Sequence, residues 1–352
     1  MTVGRCARRA DVGVPFRVVD LNVWIGCIPR GFFGVASLEP PGHKASRLDA
    51  ICAEIERLAP DVLTLQECLP LPGLARTLAD RLGYDVVFRV CNGGLRLFGF
   101  GLPPGIGSGE GLAILARREV GMRHLATTKL SGLGSVNRFW SIQLGPVRHA
   151  VAVRVEVEGR PVIVVNTHIR YGFPNRATFL KAWEDLFAAG HVEAPVPPSW
   201  LVRIVRANRR TRDLELRRLG AWLLKLRLKN AGAPIVIGAD FNIDPGQPRL
   251  EGFLAATGYT NLLPQYVPDA LTWDPARNTN CQLGLSPTWP DGGRKSIAML
   301  LMTYLDSVPQ CPDHIMASPG LRAVNAALCA NAPIDGVFPS DHYGIVADFE
   351  LD

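Results

Sequence analysis

None of the eight cysteines, at positions 6, 27, 52, 68, 91, 281, 311 and 329, forms a CxxC pair. The spacing therefore excludes the usual structural zinc frameworks and favours a reducing compartment. Cys52 and Cys68 flank apolar runs and read as small core residues. The sequence has no run of eighteen apolar residues, so no membrane-spanning helix is expected. Arg5, Arg8 and Arg9 are not followed by an apolar stretch of signal-peptide length, and residues 1–13 read as a flexible basic segment. Internal repeats and low-complexity tracts are absent. A cytoplasmic monomer is the expectation, with peripheral contact to a membrane open.

What is present describes a folded globule. Of 352 residues, 47% are hydrophobic and 20% charged, which is too apolar for disorder and enough for one large α/β domain over 14–352. The 35 glycines and 28 prolines imply long loops, where an active-site rim commonly lies. The formal net charge of +6 is unevenly spread, with ten cations between Arg203 and Asn230. Such a patch suits nucleic acid, an anionic membrane or an anionic substrate, or is the solvated face of a helix.

Hydrophobic patterning gives alternating strands and helices. Strands are expected at 16–24, 61–66, 84–90, 111–116, 140–144, 150–157, 162–166, 234–238, 314–317 and 343–349. Helices are expected at 46–59 with Ser46 as N-cap, near 72–82 closing at Gly83, and over about 212–229 with a stripe of Leu216, Leu219, Leu223 and Leu226. Residues 92–109 read as a glycine-rich loop. Residues 172–212, with Pro174, Pro195, Pro197 and Pro198, interrupt the rhythm.

Polar residues recur beside these apolar strands: Asn22, Glu67, His168, Asp240 with Asn242, and Asp341 with His342. If the strands share a rim, these side chains meet. A hard cation such as Mg²⁺, with Mn²⁺ as a substitute, takes oxygen ligands and needs only one or two carboxylates. Glu67 is the best candidate, with Asn22 supplying an amide oxygen or orienting the ion. His342 has the ordinary pKa for a general base, given a neighbouring carboxylate to orient it. His168 and Asn242 suit contact with phosphoryl oxygens, and Asp240 suits orienting water or fixing a histidine tautomer. Taken singly, a residue such as Glu67 reads more readily as a solvated loop residue, and Asp240-Phe241-Asn242 as an ordinary turn. The repetition carries the functional reading.

The set resembles the endonuclease/exonuclease/phosphatase superfamily of DNase I-like metal-dependent phosphoesterases. The matching pieces are Leu21-Asn22-Val23-Trp24, Leu65-Gln66-Glu67, Asn166-Thr167-His168, Gly238-Ala239-Asp240-Phe241-Asn242 and Ser340-Asp341-His342, in the family's order. The resemblance implies a four-layer α/β sandwich with two packed, mostly antiparallel sheets. It implies Asn22 and Glu67 at the metal, His168 and Asn242 on the phosphate, and Asp240 orienting water or the phosphate-side network. His342 becomes the general base, with Asp341 beside it and near a second metal. Asp313 in Pro312-Asp313-His314 best fits the acidic partner of His342, and Asp306 is the rival. The interval between His168 and Asp240 exceeds that of a compact member, so 172–212 looks like an insertion overhanging the site or meeting a partner.

Two substrates compete. Gly107-Ser108-Gly109 and Thr272-Trp273-Asp274-Pro275 are similar to segments of neutral sphingomyelinases, which implies cleavage of a phospholipid headgroup ester to phosphocholine and ceramide. The apolar loops Gly31–Val35 and Leu97–Leu102 would suit a lipid surface. A nuclease would use the positive charge, but Cys68 follows Glu67 where repair-type relatives place lysine, and no aromatic stacking platform is evident. A soluble phosphomonoesterase of the inositol-phosphate type lacks a clear signature. A catalytically dead scaffold is disfavoured because every presumed catalytic position keeps a competent residue.

Overall fold

The computed structural model describes residues 15–30, 34–92, 96–97, 100–101, 109–136, 141–289 and 292–351. The basic segment 1–13, Gly31–Phe33, Phe98, Gly99 and Leu102 of the Leu97–Leu102 loop, and Gly107 with Ser108 lie outside the described residues. In chain order the first half comprises β1 (Phe16–Asn22), β2 (Cys27–Arg30), β3 (Gly34–Ser37), α1 (His43–Leu58), β4 (Val62–Cys68) and α2 (Gly73–Leu82). There follow β5 (Tyr84–Asn92), β6 (Arg96–Leu97), β7 (Phe100–Gly101), β8 (Glu110–Arg117), β9 (Arg123–Val136), β10 (Ser141–Val157) and β11 (Arg160–His168). The second half holds α3 (Arg176–Ala188), α4 (Ser199–Lys229), β12 (Ile235–Asp240), α5 (Pro248–Thr257), β13 (Thr260–Asn261) and α6 (Leu263–Tyr266). It closes with α7 (Thr279–Gln282), α8 (Ile297–Asp306), β14 (Asp313–Ala317), β15 (Leu321–Cys329) and β16 (Gly344–Leu351).

The strands form two large sheets. One runs β15-β16-β1-β4-β8-β5, the other β13-β14-β12-β11-β10-β6-β7 with β9 also on β10. Among the described residues only β1/β4 and β11/β12 pair in parallel; the other pairings are antiparallel. Along β1, alternation divides the side chains between two cores. Phe16 and Val18 enter the inter-sheet core with Val62, Ile114, Val153, Val164, Val236 and Ile345. Val19 and Leu21 face α1 and α2 through Ile51, Ile55, Ala75 and Leu78. On the far side, Leu216, Leu219, Leu223 and Leu226 of α4 cover Ile163, Val165, Ile235 and Ile237. Helix, sheet, sheet, helix: the four-layer sandwich is present. Strands buried on both faces read as unbroken apolar runs.

The inter-sheet layer turns polar as it approaches one rim. Asp20 Oδ1 accepts hydrogen bonds from Thr64 Oγ1 at 2.6 Å and Gln66 Nε2 at 2.8 Å. Gln66 Nε2 also donates to Asn166 Oδ1 at 2.9 Å, and Asn166 Nδ2 donates to the Leu65 and Ala113 carbonyls, each at 2.8 Å. Opposite them stands Gly238, where an added Cβ would meet Thr64 Oγ1 at 2.1 Å. Only glycine lets the two sheets approach this closely beneath the rim.

Several expectations need correction. Helix α1 begins at His43 behind Gly42, so Ser46 lies inside it and is not the cap. The expected strands at 140–144 and 150–157 are one element, β10. Helix α4 starts at Ser199, not near 212: its first residue follows Pro198, a residue with no N–H to lose at a helix start. The strands β9 and β15 were not expected. Both mix polar residues into their pattern, and their alternation is weak.

Candidate active site

The rim is built by register. Asn22 pairs with Gln66 across β1/β4, His168 with Asp240 across β11/β12, and Asp240 with Asp313 across β12/β14. The parallel strands therefore deliver their C-terminal residues to the same edge, and antiparallel β14 delivers its first. Ser340-Asp341-His342, just before β16, completes the group. All eight residues expected at the site are brought to this rim.

Asn22 is fully buried. Its Nδ2 donates to Asp240 Oδ2 at 3.1 Å, and its Oδ1 accepts from the Trp24 amide at 3.0 Å. Glu67 sits at the end of β4 with a left-handed φ of 56°, which turns its side chain out of the strand pattern. Its Oε2 accepts from the Ile25 amide at 3.0 Å. Asn242 also has a left-handed φ, 54°, and its amide N–H bonds Asp240 Oδ1 at 2.8 Å while its Nδ2 donates to the Ile169 carbonyl at 2.9 Å. Two strained corners thus aim polar side chains at the rim.

His342 Nδ1 lies 2.8 Å from Asp313 Oδ2, which also accepts from Thr272 Oγ1 at 2.6 Å. The rival Asp306 instead accepts from Tyr171 Oη at 2.7 Å. Burial alone would lower the pKa of His342, but Asp313, then Asp341 and Asp240, raise it well above the usual value. His168 shows the opposite. Its Nε2 is 3.3 Å from Asp240 Oδ2, yet burial, Arg148 and His342 hold it well below the ordinary value, so its ring is neutral. Burial pushes Asp240 up to about 7, with Asp313 adding to the rise, and burial likewise pushes Asp341 up to about 7. Glu67 contributes to both increases.

That accumulation of carboxylates matters for a cation. Glu67, Asp240, Asp313 and Asp341 converge around one histidine, and two of them resist ionising for want of positive charge. The donor set is rich in hard oxygen and suits a divalent ion such as Mg²⁺ or Mn²⁺. Glu67 and Asp341 both line the cleft, and the fixed Oε2 of Glu67 pre-orients its carboxylate. Asp240, Asp313 and His342 also bring ligand atoms within 4.8 Å of one another. Their closest pair is already the His342–Asp313 hydrogen bond, an arrangement suited to moving a proton.

The cleft over this rim has a volume of about 250 Å³. Glu67, His168, Asp240, Asn242, Asp341 and His342 form its floor, while Trp24, Ile25, Leu38, Trp273, Met299 and Met302 supply apolar walls. Two cations, Arg148 and Lys295, also reach it. The residue pattern did not announce Arg148. It lies mid-strand in β10, where register shifts on both sides of it mark an irregular ladder that re-aims the side chain. Among the described residues its buried Nε has no hydrogen-bond partner.

The segment Thr272–Asn278 does more than close a loop. Thr272 holds Asp313, Trp273 meets the His342 ring edge-on at 5.0 Å, and Asn278 Nδ2 donates to the carbonyls of Ser340 and Asp341 at 2.9 and 3.0 Å. Asp20 was also missed. Burial, then Asp313, raises its carboxyl well above the usual range. No motif signals it, because Asp313, which raises it, and Gly238, which leaves room beside it, come from the facing sheet.

A family model described as the endonuclease/exonuclease/phosphatase family matches residues 21–342. No curated protein matches the sequence. Among solved structures, the human Nocturnin catalytic domain with bound sulfate anion is 16% identical, with a TM-score of 0.56 over 96% of this chain and 95% of that one. D. rerio TDP2 complexed with single strand DNA product is 16% identical, with a TM-score of 0.53 over 96% and 99%. An endonuclease/exonuclease/phosphatase from Bacteroides vulgatus is 15% identical, with a TM-score of 0.55 over 96% and 99%. At these identities the likeness is one of fold.

Proposed function

The chain belongs to the endonuclease/exonuclease/phosphatase family, and we propose that it is a divalent-metal-dependent phosphodiesterase that cleaves the headgroup ester of a phospholipid, in the manner of a sphingomyelinase C. The hydrolase chemistry rests on one observation above all: His342, held by an Asp313 that Thr272 supports, shares a cleft with Glu67 and Asp341.

His342 uses Nδ1 for Asp313, and in its unprotonated form Nε2 takes the proton from the attacking water. The water oxygen bonds to phosphorus as the bond to the lipid alcohol breaks on the opposite side. Asn242 and Arg148 face the phosphoryl oxygens, and Asp240 fixes both the Asn242 backbone and the His168 ring. Glu67 and Asp341 would hold the cation, which when bound supplies positive charge for the phosphoryl oxygens and acidifies water. The wall residues Trp24, Trp273, Met299 and Met302 exclude solvent around the reacting group. An apolar cleft of about 250 Å³ suits a single headgroup better than a stacked polymer.

A nucleic-acid phosphodiester is the second reading, favoured by the net charge of +6 and the basic stretch on α4. A substrate panel with Mg²⁺ separates the two: sphingomyelin and phosphatidylcholine in vesicles, single-stranded DNA, and inositol phosphates. The proposal expects phosphocholine release from vesicles. Cleavage of DNA with choline lipids untouched would overturn the lipid assignment and retain the hydrolase.

A further inference from the structure

We propose that the outward side of helix α4 is a docking surface for an anionic lipid bilayer. The helix is 31 residues long, about 46 Å at 1.5 Å per residue. Its buried side is settled by Leu216, Leu219, Leu223 and Leu226. At spacings of three, four and seven, the opposite side presents Trp200, Arg203, Arg210, Arg217, Leu224 and Leu228, all exposed. The apolar members are not marginal: Trp200 is 49% exposed, Leu224 60% and Leu228 73%. Ile204, on the same helix, is 56% exposed.

The charge is equally one-sided. Between Arg203 and Asn230 there are ten cations and only two acids, Asp213 and Glu215. Asp213 is taken by Arg249, and Glu215 is buried against Arg170. Among the described residues, Arg203, Arg210 and Arg217 have no carboxylate partner. Large apolar side chains interleaved with unpaired arginines, on a helix with no membrane-spanning character, are the composition of an interfacial helix. The apolar groups enter the headgroup boundary while the guanidinium groups meet anionic lipid phosphates.

Two other occupants fit less well. A second copy packed along this stripe would set arginine against arginine. A nucleic-acid backbone would satisfy the arginines but leave Leu224 and Leu228 in water. A bilayer takes both kinds of side chain. Between α4 and α5, moreover, an apolar groove of about 660 Å³ is lined by Leu216, Leu223 and Phe253 and opens beside Arg217 and Leu224, so the apolar surface continues inward from the stripe.

The surface is joined to the catalytic cleft through a shared core. Leu201 of α4 packs with Leu300, Leu301 and Leu305 of α8, and α8 also presents Met299, Met302 and Thr303 to the cleft. The inference does not depend on the substrate of that cleft, and its test is read separately from turnover.

The test is co-sedimentation of the full chain with phosphatidylcholine vesicles, with or without about a third phosphatidylserine, over a range of salt. Tighter binding to the anionic vesicles than to the neutral ones, weakened by salt, is expected. The triple variant Arg203→Gln, Arg210→Gln, Arg217→Gln should lose about a hundredfold in vesicle affinity. A second variant, Leu224→Ser with Leu228→Ser, should bind about tenfold more weakly. Both should keep wild-type thermal stability and wild-type turnover of a soluble phosphodiester. Absent binding, or equal binding to neutral vesicles, overturns the proposal. So does capture of single-stranded DNA without vesicle binding, or a dimer that the triple variant abolishes.

Discussion

Asp313 and His342 are joined by a 2.8 Å hydrogen bond between Oδ2 and Nδ1, and Asp313 takes a second hydrogen bond from Thr272 on the same oxygen. This bond fixes which histidine nitrogen faces the cleft. Asp313→Asn keeps the shape but offers an amide where a carboxylate oriented the imidazole. It should lower kcat by about a hundred- to ten-thousandfold with little change in KM. Thr272→Val, which removes only the support to Asp313, should lower kcat by about tenfold. Steady-state kinetics on a soluble phosphodiester measures both.

Cation binding should appear as stability. Burial, without enough positive charge nearby, pushes the carboxylates of Asp240 and Asp341 up to about 7. Mg²⁺ or Mn²⁺ at a hundred times its Kd should stabilise the chain by about 2.7 kcal/mol. Glu67→Gln combined with Asp341→Asn should remove that gain. Thermal melts with and without the ion, backed by titration calorimetry, provide the check.

Glu110, which is not itself a proposed ligand, gives a pH dependence. Burial pushes its carboxyl up to about 7, Arg148 opposing and Glu67 adding to the rise. The folded chain therefore holds a proton that the unfolded chain releases near the ordinary glutamate value. The resulting stability is complete below that value and is lost as pH rises through about 7. Glu110→Gln should flatten this decline, gaining roughly 3 kcal/mol over wild type above neutrality in divalent-free buffer. Urea unfolding on either side of this window would show it.

Arg212 should be a stability residue. It is fully buried, and its guanidinium donates to the carbonyls of Gly172, Phe173 and Asn242. Burial lowers its pKa to about 10 against the pull of Glu215. Arg212→Met leaves those carbonyls unpartnered and Glu215 short of a counter-charge. A loss of about 3 to 5 kcal/mol is expected in urea unfolding.

Much of the site was legible because of how parallel strands end. Asn22, His168 and Asp240 each close an apolar run that is buried on both faces, and the polar residue after such a run has only the rim to occupy. The short motifs then ordered these ends into one family. Arg148 was illegible, since its direction comes from irregular pairing with β9, itself a strand of weak alternation. Gly238 was illegible because it is required by Thr64 and Asp20 of the opposite sheet, and Asp20 because Gly238 and Asp313, which bear on it, stand across from it. The start of α4 was hidden by prolines and arginines, and its continuity came from the leucines packed beneath it.

The central claim is that the rim is a cation-assisted phosphodiester hydrolase driven by His342. Hydrolysis of bis(p-nitrophenyl) phosphate by wild type, Glu67→Gln and His342→Ala, with Mg²⁺ and then with excess chelator, tests it most directly. The expected result is turnover in the wild type that chelation abolishes and that falls by at least about a hundredfold in each folded variant. Undiminished, chelator-resistant turnover in both variants would contradict it.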